Sequence, residues 1–154
     1  MERCVSVNQR LQLLALVILV SMLSDSAHAE RSVVLVMNAD CPIESLTMLE
    51  VRKTYFGLMA SHEKQTVRAY RLNSDEDLSG IFYQTVVAMS EKSYERRLLS
   101  MLLKYGTPRP QEFGDVEELV AAVRHSNCGI AYMWGEDAAA AEGIKSIRLL
   151  WQSE

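Results

Sequence analysis

Val33-Val34-Leu35-Val36-Met37-Asn38 is an unbroken β-branched and apolar run, closed by Asn38 and then by Cys41-Pro42. Such a run is a strand covered on both faces, because a half-exposed strand alternates apolar with polar positions. Gly129-Ile130-Ala131-Tyr132-Met133-Trp134 reads as a later strand. Strands buried on both sides require covering helices, and the rest of the chain supplies them. Leu46, Leu49 and Val51 lie on a helix capped by Ser45 or Thr47, with Thr47 and Glu50 at capping-box spacing and Gly57 as its stop. Val67 to Leu72 alternates as a second strand. Ser74 and Asp77 have cap spacing before a helix through Leu78, Ile81, Phe82, Val86 and Met89.

Ser90-Glu91 opens a further helix with Leu98, Leu99, Leu102 and Leu103 as its apolar face and Gly106 as its end. Pro108 and Pro110 mark an extended connection, and Asp115 with Glu118 caps a helix from Val116 to His125. Ala138 to Ala141 is a short helix and Ile147 to Trp151 a last strand. Alternating strands and helices predict an α/β fold, with helices flanking a mixed, mainly parallel sheet.

The chain has 154 residues, 49% of them hydrophobic and 23% charged, with a formal net charge of −4. These values fit one globular domain. The acidic balance lacks the basic surplus of a nucleic-acid binder, so no nucleic-acid partner is expected. Arg3 and Arg10 flank a polar start, Leu11 to Leu23 is apolar except for Gln12 and Ser21, and Ala27-His28-Ala29 follows. That order is a secretory signal, too short to span a bilayer. Residues 1–29 are expected to be removed, leaving 30–154 as the domain, with export to the periplasm and no stable membrane insertion. Cys4 departs with the signal. Cys41 and Cys128 remain, either as a disulfide, worth roughly 4–5 kcal/mol in the chain-entropy model, or as buried thiols. A bridge requires the strands next to them to be antiparallel neighbours.

No catalytic constellation is present. His62 and His125 stand alone, without metal-ligand spacing, so no metal is expected. No CxxC, GxSxG, GxxxxGK[ST] or GxGxxG occurs, so no redox, serine-nucleophile or nucleotide chemistry and no cofactor is indicated. Asp75-Glu76-Asp77 lacks the glycine and terminal glutamate of a Ca²⁺ loop and suits a helix N-terminus. The chain is expected not to be an enzyme.

The order of these elements resembles the phosphate-binding proteins of bacterial ABC importers, and most of all the small single-lobe exported members of that superfamily (the PBP-like domain). Val34-Leu35-Val36-Met37-Asn38 leads to Thr54-Tyr55-Phe56-Gly57, where the family has a strand and then an "IFxG" signature. Ile81-Phe82-Tyr83 matches its "xxFY" helix, and Cys128-Gly129-Ile130-Ala131-Tyr132 its "GxIGY" strand. The resemblance implies a single three-layer lobe of a type 2 periplasmic-binding-protein fold. Phosphate-binding relatives use an arginine ending the second strand and a Ser-Gly-Thr at a helix start, where amides and dipole favour an oxyanion.

Here Arg71 is retained, with Asn73 and Ser74 in the loop. The Ser-Gly-Thr positions fall at Glu76, Asp77 and Leu78, and Ser79-Gly80 takes that role only in a shifted register. The resemblance makes Asn38, Arg71, Asn73, Ser74 and Ser79 the candidate ligand-binding residues. It implies a solute-binding-like module with a weak or degraded site for phosphate or another small oxyanion. The alternative is an adaptor for a membrane sensor, a transporter or an outer-membrane channel (porin) that has lost ligand binding.

Overall fold

The computed structural model describes residues 31–58, 61–62 and 64–153. The segment 1–29, read from the sequence as a signal, and its Cys4 lie outside the described residues. In chain order the elements are β1 (Ser32–Asn38), α1 (Met48–Tyr55), β2 (Ser61–His62), β3 (Gln65–Leu72), α2 (Glu76–Ile81), a π-helical turn (Phe82–Val86), α3 (Glu91–Tyr105), β4 (Gln111–Phe113), α4 (Val116–His125), β5 (Cys128–Trp134), α5 (Gly135–Ala140) and β6 (Ile144–Gln152).

One six-stranded sheet runs in the order β2-β3-β5-β1-β6, with β4 paired to β3 beside β2. Strand β3 is parallel to β4 and β5, whereas β1 is antiparallel to both β5 and β6, and β2 to β3. Four strands therefore point one way, with β1 and β2 reversed. This is the mixed, mainly parallel sheet of the sequence reading.

Strand β5 is the centre of the core, and all seven of its residues are buried. One face carries α4, which packs on β5, β3 and β1. The other carries α1 and the π turn, joined to the sheet by aromatic rings. Phe82 stacks on Tyr132 at 4.5 Å and meets Tyr55 edge-on at 4.9 Å. The tyrosine hydroxyls enter this interior only because each finds a carbonyl. Tyr55 donates to Tyr70 O (3.1 Å), Tyr94 to Tyr55 O (2.7 Å) and Tyr132 to Leu72 O (3.4 Å). Burial holds the Tyr132 phenol up at about 12 and pushes Tyr55 and Tyr94 above their ordinary value.

Several local signals were read correctly. Thr47 caps α1 in a capping box with Glu50, Asp115 caps α4, and Gly57 and Gly106 take left-handed φ values of 67° and 66°. Other expectations are corrected. The cap of α2 is Asp75, whose carboxylate accepts from the Leu78 amide at 2.9 Å, rather than Ser74 or Asp77. The expected helix through Met89 gives way at Phe82 to an i→i+5 turn, in which Val87 N–H donates to Phe82 O (3.2 Å). Leu49 points to solvent, and of the four leucines expected on the apolar face of α3 only Leu98 is buried.

Strand β6 is longer than Ile147 to Trp151, and its burial follows a period of three. Two register shifts against β1, between Val33 and Val34 and between Leu35 and Val36, each insert an extra β6 residue. Each bulge turns the following side chains over, so alternation never develops. At the domain's corner, Arg31 N–H donates to Ser153 Oγ (2.9 Å) and Ser153 N–H to Arg31 O (2.9 Å).

Because β1 and β5 are antiparallel neighbours, Cys41 just past the end of one meets Cys128 at the start of the other. They form a disulfide with a Cα–Cα distance of 5.2 Å across 87 residues. The Cys41→Ser/Cys128→Ser double variant should lose about 2–5 kcal/mol of stability. Urea unfolding with and without reductant checks this: reductant should destabilise the native protein and leave the variant unchanged.

Candidate functional site

Arg71 is the seventh residue of an eight-residue strand dominated by buried positions, and it is itself only 3% exposed. A guanidinium cannot lose its proton to escape burial, so the surroundings must supply acceptors. Three elements converge to do so. Arg71 Nη1 lies 3.1 Å from Glu95 of α3 and 2.9 Å from Glu112 of β4, and Nη2 donates to Tyr83 Oη of the π turn at 2.6 Å. Glu112 is also the register partner of Arg71 in the parallel β3–β4 pair. Arg109 engages the other oxygen of Glu95.

Phe82, Tyr83 and Tyr94 surround the guanidinium, with ring centroids 5.1–5.5 Å from Cζ. Burial works against its charge, but the oxygens of Tyr132, Tyr83 and Tyr94 outweigh that and hold its pKa above the ordinary value. Arg71 Nε is buried without a hydrogen-bond partner.

Beyond Arg71 opens a cavity of about 420 Å³ bordered by Asn73, Ser79, Glu91, Arg109 and Glu112. Arg71, Asn73 and Ser79 are thus brought together. Ser74 is exposed in the adjoining loop and does not line the cavity. Asn38 stands elsewhere: β1 runs against β3, so the end of β1 lies at the opposite end of the sheet from the end of β3. Its amide donates to Arg124 O (3.0 Å) and Ser126 O (2.7 Å), and its Oδ1 accepts from Asp40 N–H (2.9 Å). These bonds pin β1 to the α4–β5 connection.

Glu76 and Asp77 lie exposed in the first turn of α2. Of the groups that close the cavity, Glu95 and Glu112 were not singled out in the sequence, and Tyr83 only as part of the Ile81-Phe82-Tyr83 match. They lie 24, 41 and 12 positions from Arg71. Only the β3–β4 register could have pointed to Glu112, and β4 follows two prolines that mask it as a connection. Among the described residues, no group of three or more His, Cys, Asp or Glu could hold a metal ion.

A lobe of this architecture is the fold of phosphate transport binding proteins. It is shared with an ABC-type phosphate transport receptor from Vibrio cholerae (TM-score 0.57, 11% identity, 78% of this chain and 46% of that one). It is also shared with a putative phosphate ABC transporter substrate-binding protein with bound phosphate from Clostridium perfringens (TM-score 0.59, 12% identity, 78% and 45%). PstS from Borrelia burgdorferi matches similarly (TM-score 0.57, 9% identity, 77% and 47%). The chain spans less than half the length of these structures. No family model matches it, and no curated protein is similar to it in sequence.

Beside the cavity, Trp134 Nε1–H donates to Asp75 Oδ2 at 2.8 Å, and Arg31 lies over the indole at 3.7 Å. Partial burial opposes ionisation of Asp75, but the Leu78 amide, the Trp134 indole and the Asp77 amide hold its carboxyl below the usual 3.8. A depressed folded pKa means the Asp75 contribution is complete above the ordinary carboxylate range. It is lost as pH falls through the folded value. Asp75→Ala should cost about 1 kcal/mol at neutral pH, and the gap to wild type should close at acid pH. Denaturation at several pH values, read by tryptophan fluorescence, measures both.

Proposed function

We propose that this chain is an exported, non-enzymatic module of the phosphate-binding-protein fold whose oxyanion position is filled by its own carboxylates. The observation that carries the reading is the engagement of both Arg71 Nη groups by Glu95, Glu112 and Tyr83. A phosphate approaching Arg71 has to displace two carboxylates that already neutralise it, and it meets Glu91 at the cavity wall. Like charges at such separations cost on the order of 1 kcal/mol or more each, so capture at neutral pH is weak. The helix beyond the cavity adds to this, since its first turn carries Glu76 and Asp77.

Export is supported by the signal-like residues 1–29 and by the Cys41–Cys128 bridge, which suits an oxidising compartment such as the periplasm. Among the described residues, no helix is long and apolar enough to cross a membrane. N-terminal sequencing of the exported protein should begin at Glu30.

Calorimetric titration tests the site. The native protein should show no saturable heat with micromolar phosphate. In the Glu95→Gln/Glu112→Gln variant Arg71 is left without counter-charge, and phosphate should bind at least about tenfold more tightly and raise the melting temperature. Micromolar binding by the native protein, or no gain in the variant, refutes the reading.

A further inference from the structure

Helix α3 packs through its first half only. Tyr94 and Leu98 are buried, whereas Leu99 and Leu102 are half-exposed and Leu103 and Tyr105 are 77% and 73% exposed. A second segment adds to the same end. Gly57, with φ +67°, is pressed against Thr107, two residues beyond Tyr105, and Leu58 beside it is 51% exposed. Large apolar side chains exposed from two meeting segments mark a contact surface rather than scattered surface leucines.

The charges within these two segments have one sign. The segments that meet here, 51–58 and 96–111, carry Arg52, Lys53, Arg96, Arg97, Lys104 and Arg109 and no carboxylate. Glu50, Glu95 and Glu112 flank the two segments, and with Arg109 paired to Glu95 the exposed cations here are Lys53, Arg96, Arg97 and Lys104. Arg109 is engaged with Glu95 and Arg52 donates to Val86 O, while Arg97 lies over Phe56 at 5.2 Å, beside Gly57 and Leu58. Lys53 and Lys104 are exposed.

We propose that this end of the molecule docks peripherally on an anionic lipid surface. Leu58, Leu102, Leu103 and Tyr105 enter the headgroup region, and Lys53, Arg97 and Lys104 face the lipid phosphates. Protein–protein interfaces are depleted in lysine and carry a polar rim. An apolar tip with a tyrosine and a fringe of basic residues alone is instead the chemistry of an interfacial anchor. The charge asymmetry orients the approach, because an anionic surface attracts this end and repels the rest of the chain. The inference is independent of the Arg71 cavity and goes beyond the proposed function.

The test is co-sedimentation of the exported protein, its N-terminus verified, with sucrose-loaded vesicles of phosphatidylglycerol and phosphatidylcholine, or of phosphatidylcholine alone. Protein should pellet with the anionic vesicles only and be released by added salt. Leu103→Glu should weaken partitioning by roughly tenfold or more. Its circular dichroism should stay native, since the side chain is exposed. Lys53→Glu/Lys104→Glu should abolish the preference for phosphatidylglycerol. Absence of sedimentation with anionic vesicles, equal binding to neutral ones, or undiminished binding by Leu103→Glu overturns the proposal. So does a dimer in light scattering that Leu103→Glu dissolves while no vesicle binds, which would assign the surface to a protein partner.

Discussion

A guanidinium placed inside an apolar strand sets a condition that its own strand cannot meet. Arg71 requires negative charge and acceptors from outside β3, and it draws Glu95 from α3, Glu112 from β4 and Tyr83 from the π turn into one place. The wider turn of the π segment sets Phe82 against Tyr132 and Tyr83 against Arg71, so the irregular helix and the buried ion cluster belong together. Breaking such a cluster from one side leaves a buried charge uncompensated, which costs far more than an exposed pair contributes. The same cluster decides what the cavity offers a ligand. Both Nη groups of its arginine are already engaged.

Sharing a fold with phosphate transport proteins at 9–12% identity fixes the arrangement of strands and helices and leaves the chemistry of the site to individual residues. In this chain Arg71 faces acidic groups from two neighbouring elements, Glu95 and Glu112.

Much of the architecture was legible because the signals are local. Buried strands announce themselves as unbroken apolar runs, and Thr47-Glu50, Asp115, Gly57 and Gly106 mark helix ends by short-range chemistry. The Cys41–Cys128 pairing was conditional on strand direction, and that direction held. What escaped reading depends on distant pairing. The bulges of β6 arise from its fit to β1, and no pattern within Ile144–Gln152 reveals them. Glu112 becomes a partner of Arg71 only once β4 is laid beside β3. Asn38 was grouped with Arg71 through the family resemblance, but the strands that carry them run in opposite directions. The leucines of α3 looked like a core face because periodicity records which side of a helix is apolar and not whether anything covers it.

The mutual hydrogen bonds between Arg31 and Ser153 close the described domain on itself at one corner. A unit whose entry and exit lie side by side can be spliced into a loop of a host protein, or excised from one, without parting its core strands. It behaves as a cassette. A lobe that corresponds to less than half of a larger chain is the kind of piece for which such a closure makes independent existence, or insertion beside new neighbours, structurally cheap.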